Sequence, residues 1–276
     1  MNVVVISGCA VVDRHIVGRL QQRWPATAVV RPVDPPDPST RDRLVRVARA
    51  PISGARRSWY RRQERHRERE LKRLLPDVVS RRALPVATID ETQLNARPGV
   101  ELVSRLRPDV LVLSGAPILR DDILAVPTIG TVNVHLGVAP AYRGEHTLFH
   151  ALRQLDADGI GLTIHRVDRG IDTGPLLAHA FPAIEPGDDE TTLMARCARL
   201  GAEVLVGCLE EVARTGRLHG LPQPDEGRLY RRRDRRVLRH DVAEWLGREV
   251  LGHGLAPRPE RVLRHDLAPG HEELPA

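Results

Sequence analysis

The sequence is poor in aromatic residues. Phe, Tyr and Trp make up 3% of 276 residues, so a core must be assembled from Val, Leu, Ile and Ala. Cysteine is scarce as well. Cys9, Cys197 and Cys208 are odd in number and far apart, which fits neither a disulfide framework nor a zinc site. The opening "MNVVVISG" enters a strand pattern with no basic leader or cleavage site, and the expected setting is a reducing cytoplasm. No apolar run approaches the length of a membrane span, so no membrane partner is expected. Lys72 is the only lysine, and the formal charge of +6 is carried almost wholly by Arg. A basic chain can bind nucleic acid. An Arg-biased but ordinary solvated surface accounts for the same charge, and nucleic acid is not expected as a partner. Also missing is any GxGxxG or GK[ST] element after the first strand, where "ISGCAVVDRH" has Gly8 alone. That speaks against nucleotide-cofactor dehydrogenases and P-loop enzymes.

What is there is alternation. "NVVVIS", "ATAVVRPV", "LPVATI", "DVLVLSG", "IGTVNVHL" and "GIGLTIHRVD" read as strands, and "GPLLAHAFPAI" as extended chain. Between them "RHIVGRLQQRW", the charged stretch 55–75, "VELVSRLR", "ILRDDILA" and "EHTLFHALRQLD" have helical spacing. "DDETTLMARCARLGAEVLVGCLEEVARTG" is a long amphipathic helix capped by Asp188 or Asp189. Strands alternating with helices predict an α/β fold with a Rossmann-like, doubly wound, mainly parallel sheet. The expected division is a catalytic domain over residues 1–216 and a C-terminal extension over 217–276. The extension is Arg- and Pro-rich and partly helical around "DVAEWLGREVLGHGL", and it ends in a poorly ordered tail.

Chemistry concentrates in two places. In "GTVNVHLGVAPAYRG" the polar Asn133 and His135 sit two apart in an apolar strand, so both project from one face just before the strand breaks. Strand ends of this kind hold ligands in open α/β sheets. In "TIHRVDRGIDTGPLL" a strand carrying His165 runs into a loop where Asp172 lies between Gly170 and Gly174. Taken singly, Asn133 and His135 suit a hydrogen-bonded core, and Asp172 suits a turn. Together they form a set: an amide donor for a developing oxyanion, a proton carrier, and an acid that orients it. No Ser or Cys stands beside them as a nucleophile. The set suits direct acyl transfer to an amine through a tetrahedral intermediate. His146 and His150 have metal-binding spacing, but no third ligand is near, and no metal is expected.

"NVHLGVAPAYRG" followed by "GLTIHRVDRGIDTGPLL" resembles the folate-dependent formyltransferase family. That family has an Asn-x-His strand, a Leu-Pro loop, Tyr/Trp-Arg-Gly, and a Thr-x-His strand leading to Gly-(Leu/Ile)-Asp-(Thr/Ser)-Gly. The likeness covers about residues 84–215. It implies that Asn133, His135 and Asp172 are catalytic and that 10-formyltetrahydrofolate is the donor. It places Gly115, Ile118, Leu119, Val167 and Asp168 at the cofactor, and Tyr142, Arg143 and Gly144 at the substrate. The chain departs from the family at "LGVAP", where Ser-Leu-Leu-Pro is usual, and at "EHTLF" after Gly144. The implied partner is a small-molecule amine, an amino sugar on a nucleotide carrier or a specialised metabolite. Three alternatives stand beside it: a formyltetrahydrofolate hydrolase, a methionyl-tRNA formyltransferase without the usual C-terminal barrel, and a non-catalytic RNA-binding protein on this scaffold. A homodimer is left open.

Overall fold

A computed structural model of the chain describes residues 1–8, 10–25, 27–33, 51–75, 86–224, 226–235 and 255–266. The elements run β1 (Val3–Ser7), α1 (Val11–Arg23), β2 (Ala28–Val33), α2 (Pro51–Leu74), β3 (Val86–Asp90), α3 (Glu91–Leu94), α4 (Arg97–Leu106), β4 (Val110–Ser114), α5 (Asp121–Leu124) and β5 (Gly130–His135). Then come β6 (Tyr142–Gly144), α6 (Thr147–Arg153), β7 (Leu162–Arg166), β8 (Leu176–Phe181), α7 (Glu190–Thr215), β9 (Arg228–Tyr230) and β10 (Arg261–Arg264).

Eight strands form one sheet in the order β10-β8-β7-β5-β4-β1-β2-β3, while β6 and β9 pair separately. The half from β3 to β5 is parallel throughout. From β5 outward, β7, β8 and β10 pair antiparallel. This is the Rossmann-like α/β sheet expected from the alternation. "VVVIS" of β1 and "VLVLS" of β4 are buried along their whole length because helices cover both faces of a parallel sheet. Side-chain alternation divides the core in two. Val3, Val5, Val110, Val112 and Val132 pack toward α1 and α7, while Val4, Ile6, Leu111 and Leu113 pack toward α4 and α5. Each large apolar side chain buried this way stabilises the fold by about 1.5–3 kcal/mol.

Helix α7 starts where the Asp189 carboxylate accepts the N–H groups of Thr191 and Thr192, and it stops at Gly216 in the left-handed region. It lies so close to β7 that a side chain at Gly201 would overlap Leu162. Helix α2 carries the expected i,i+4 pairing in Lys72–Glu68, and its Arg67 reaches Glu190 at the start of α7.

Two findings differ from the sequence expectation. Residues 261–264, expected in a poorly ordered tail, form β10 and complete the sheet against β8. Strand β9, also beyond residue 216, pairs with β6 inside the expected catalytic domain. Short polar strands such as "RVLR" and "RLY" are invisible to pattern reading, because their pairing partners and not their own periodicity hold them. The helix expected at "DVAEWLGREVLGHGL" lies almost wholly outside the described residues.

Candidate active site

Register explains the polar pair in β5. Asn133 lies opposite Leu113 of β4, so it points to the face that α4 and α5 cover farther along the sheet. On the other side Asn133 lies opposite His165, and His135 opposite Thr163, which in turn lies opposite His179 of β8. Cross-strand partners share a face. From β5 outward that face therefore carries polar side chains, and the loops after β5 and β7 supply their partners.

Asp172 is the hub. Its carboxylate accepts Asn133 Nδ2 at 3.1 Å and the Gly144 N–H at 2.8 Å, with His135 Nδ1 at 3.4 Å and His165 Nε2 at 3.3 Å. Its backbone has φ of +52°, a left-handed conformation that Asp tolerates better than most residues. Gln223 holds it there by donating to the Asp172 and Gly174 carbonyls at 3.1 and 2.6 Å. Gly144 is required as glycine. Its φ is +94°, and a side chain would run into the Tyr230 carbonyl.

The tautomers follow from carbonyl partners, which only accept. His135 Nε2 lies 2.7 Å from the Tyr142 carbonyl, so Nε2 carries a hydrogen, and Nδ1 faces the Asp172 carboxylate. His165 Nδ1 gives its hydrogen to the Arg166 carbonyl at 2.8 Å and accepts Asn133 Nδ2 at Nε2, 3.2 Å away. Both amide hydrogens of Asn133 are thus engaged, one by His165 and one by Asp172. A role toward a developing oxyanion requires one of them to be released.

Burial pulls the His135 imidazole below its ordinary pKa, and Asp172 and the Tyr142 carbonyl offset this only in part. Burial pushes Asp172 the other way, but His135, His165 and the Gly144 N–H outweigh it and hold the carboxyl well below the usual range. Burial thus favours the neutral imidazole, while its surroundings favour the ionised carboxylate. A proton arriving at Nδ1 turns the 3.4 Å contact into an ion pair.

The other expected residues are placed as follows. Gly115 follows β4 at φ +59°, against the Asp13 carboxylate. Ile118 is exposed and Leu119 buried. Asn95 holds their loop by donating to the Ile118 carbonyl and accepting the Arg120 N–H, both at 2.8 Å. Val167 is tied to Thr131 by its N–H, and the Asp168 carboxylate accepts Thr173 Oγ1 at 2.7 Å and the Gly170 N–H at 3.0 Å. The Tyr142 ring is in the core, stacked on Tyr230, with its hydroxyl on Asp156; only its carbonyl faces His135. Arg143 has a buried Nε without a hydrogen-bond partner, and Gly144 gives its N–H to Asp172. Sequence reasoning missed Gln223, and it did not give His165 a role. The Thr-x-His pattern in β7 was the available signal for the latter. Among the described residues no group of three His, Cys, Asp or Glu side chains could hold a metal ion.

The formyl transferase family profile matches residues 1–209. The chain belongs to the formyl transferase family. Its relatives include methionyl-tRNA formyltransferases from Paraburkholderia phytofirmans, 35% identical over 50% of this chain and 41% of the relative, and from Halorhodospira halophila, 38% identical over 47% of this chain and 42% of the relative. The match thus spans under half the length of these relatives. Among solved structures, a 4-N formyltransferase from Francisella tularensis superposes with a TM-score of 0.54 at 12% identity, covering 91% of this chain and 86% of that one. A phosphoribosylglycinamide formyltransferase from Bacillus halodurans superposes at 0.50 and 20% identity, covering 78% of this chain and 97% of that one. At such identities these two establish the shared fold.

Proposed function

We propose that the chain is an N-formyltransferase that moves a formyl group from 10-formyltetrahydrofolate to the amine of a small molecule, an amino sugar on a nucleotide or a specialised metabolite. The observation that carries this is the buried His135 held between the Tyr142 carbonyl and the Asp172 carboxylate, with no serine or cysteine bonded to it among the described residues. Such a site takes a proton from an attacking amine and needs no covalent enzyme adduct. The donor supplies an activated formyl carbonyl. The chain's residues fit it through the loop of Gly115, Ile118 and Leu119, which Asn95 holds and whose Ile118 offers an apolar surface at 68% exposure. Val167 and Asp168 form the facing wall. The His135–Asp172 pair takes up the amine proton, Asp172 stabilises the imidazolium, and Asn133 turns an N–H toward the developing negative charge. Arg143 and Gly144 border the acceptor.

Methionyl-tRNA is the second acceptor reading. The relatives with that name favour it. The test is turnover of formyl-labelled donor with no amine, with amino-sugar nucleotides, with simple amines and with methionyl-tRNA. Label on a small amine supports the proposal, and label on methionyl-tRNA supports the second reading. Release as formate at the same rate under every condition would show a hydrolase.

A further inference from the structure

Residues 136–141, between His135 and Tyr142, are held at several polar backbone groups. Thr147 Oγ1 donates to the Leu136 carbonyl. Thr163 Oγ1 donates to the Gly137 carbonyl at 2.7 Å and accepts the Ala139 N–H at 2.9 Å. The Tyr142 N–H returns to the Val138 carbonyl at 2.9 Å. A further hold is His179 of β8, whose Nε2 lies 2.8 Å from the Ala139 carbonyl. His179 is buried and stands two strands from His135 on the same face.

A second imidazole faces it. His265 Nε2 lies 3.1 Å from His179 Nδ1, with the rings nearly perpendicular. The carbonyl of Ala139 can only accept, so His179 carries its hydrogen on Nε2. Its Nδ1 is then a lone pair, and His265 must donate to it from Nε2. His265 is fixed by its own N–H on the Leu177 carbonyl and by β10 pairing with β8. The titratable and charged groups around the pair are Arg261 on β10, His165 on β7, and Asp266, which Arg264 binds through two contacts of 2.7 Å.

We propose that His179 is a positioning residue whose Nε2–H tautomer is fixed jointly by the Ala139 carbonyl and His265. It holds the Ala139 carbonyl, and through loop 136–141 it holds the Tyr142 carbonyl that keeps the hydrogen of His135 on Nε2. This assigns the strand at 261–264 and His265, both outside the residues 1–209 that match the family, a part in orienting the catalytic histidine. The kinetic half of the claim rests on His135 being the proton carrier. The tautomer half does not.

The test is imidazole nitrogen NMR on the full chain labelled in histidine, with His135→Gln used to assign the His135 signals. The wild type shows Nε2–H tautomers for His135, His179 and His265. His179→Leu keeps the volume but removes the donor. It moves His135 to a tautomer mixture and lowers kcat about tenfold, the scale of one lost orienting hydrogen bond, while donor KM holds. His179→Gln restores the amide donor to Ala139 and returns both readings to near wild type. His265→Phe gives a smaller shift in the same direction, and it reads the same linkage should the leucine variant not fold. A folded His179→Leu or His265→Phe protein whose His135 stays wholly Nε2–H would overturn the proposal. If the wild type turns over no amine while the tautomer shift appears, the functional reading fails and the positioning claim stands.

Discussion

Two largely enclosed aspartates sit at the carboxyl edge of the same sheet, and their surroundings drive them in opposite directions. Asp13, in the first turn of α1, accepts the Ser114 hydroxyl at 2.9 Å and the Ala10 N–H at 3.1 Å. Burial dominates there and pushes its pKa up to about 6, against the bonds from Ser114 and Ala10 and the charge of Arg14. Asp172 is buried nearly as deeply, yet it accepts two N–H groups and faces two imidazoles, and it is held well below the ordinary range. Depth alone does not make an acid ionised. The donors and imidazoles aimed at it decide, and Asp172 has them because β5, β6 and β7 converge on one loop.

The comparison can be broken first at the base. His135→Gln removes the proton carrier and one of the two imidazoles facing Asp172. Turnover per folded molecule is expected to fall about 10²–10⁴-fold, the usual worth of a general base. Steady-state kinetics with the acceptor found by the amine panel, beside a melting curve, checks this.

Next comes Asn133→Leu, which removes the donor to both His165 and Asp172. A loss of kcat of about 10²-fold is expected, the scale for one donor to a developing oxyanion. Donor affinity is expected to hold. An unchanged kcat with a lowered melting point would instead make Asn133 structural.

The two acids also predict opposite slopes of stability with pH. Asp13 has a folded pKa above its unfolded value of 3.8, so its stabilisation is complete below about pH 4 and declines as pH rises through about 6. The decline amounts to about 3 kcal/mol at most. Asp172, with a lowered folded pKa, contributes stability above the unfolded value of 3.8 that is lost as pH falls below it. Urea titrations of Asp13→Asn between pH 4 and 7 should show a flatter profile than wild type. A profile that stayed parallel to wild type would remove Asp13 from the account.

The smallest effect concerns the donor wall. Ile118→Ser exchanges an exposed apolar surface for a hydroxyl, and donor KM is expected to rise about tenfold from lost burial, with kcat nearly unchanged. A donor titration measures it.

The parallel half of the fold was legible because strands buried on both faces write continuous apolar runs, as "VVVIS" and "VLVLS" do. The central residues were legible because Asn133 and His135 break such a run on one face. Other parts were not. The role of His179 depends on an imidazole 86 positions away in sequence, and β10 becomes a strand only by pairing with β8. The Tyr142 side chain reads like a ligand contact in the motif, but tertiary packing turns its ring to Tyr230 and leaves only its carbonyl at the site. Long-range pairing of that kind has no periodicity to read.

The most direct measurement is single-turnover transfer of labelled formyl from 10-formyltetrahydrofolate to the acceptor amine by wild type and Asp172→Asn, scaled to the folded fraction. The account predicts label on the amine with wild type and a rate at least about 10²-fold lower with the variant. A folded Asp172→Asn protein that transfers label at more than about a tenth of the wild-type rate would contradict it.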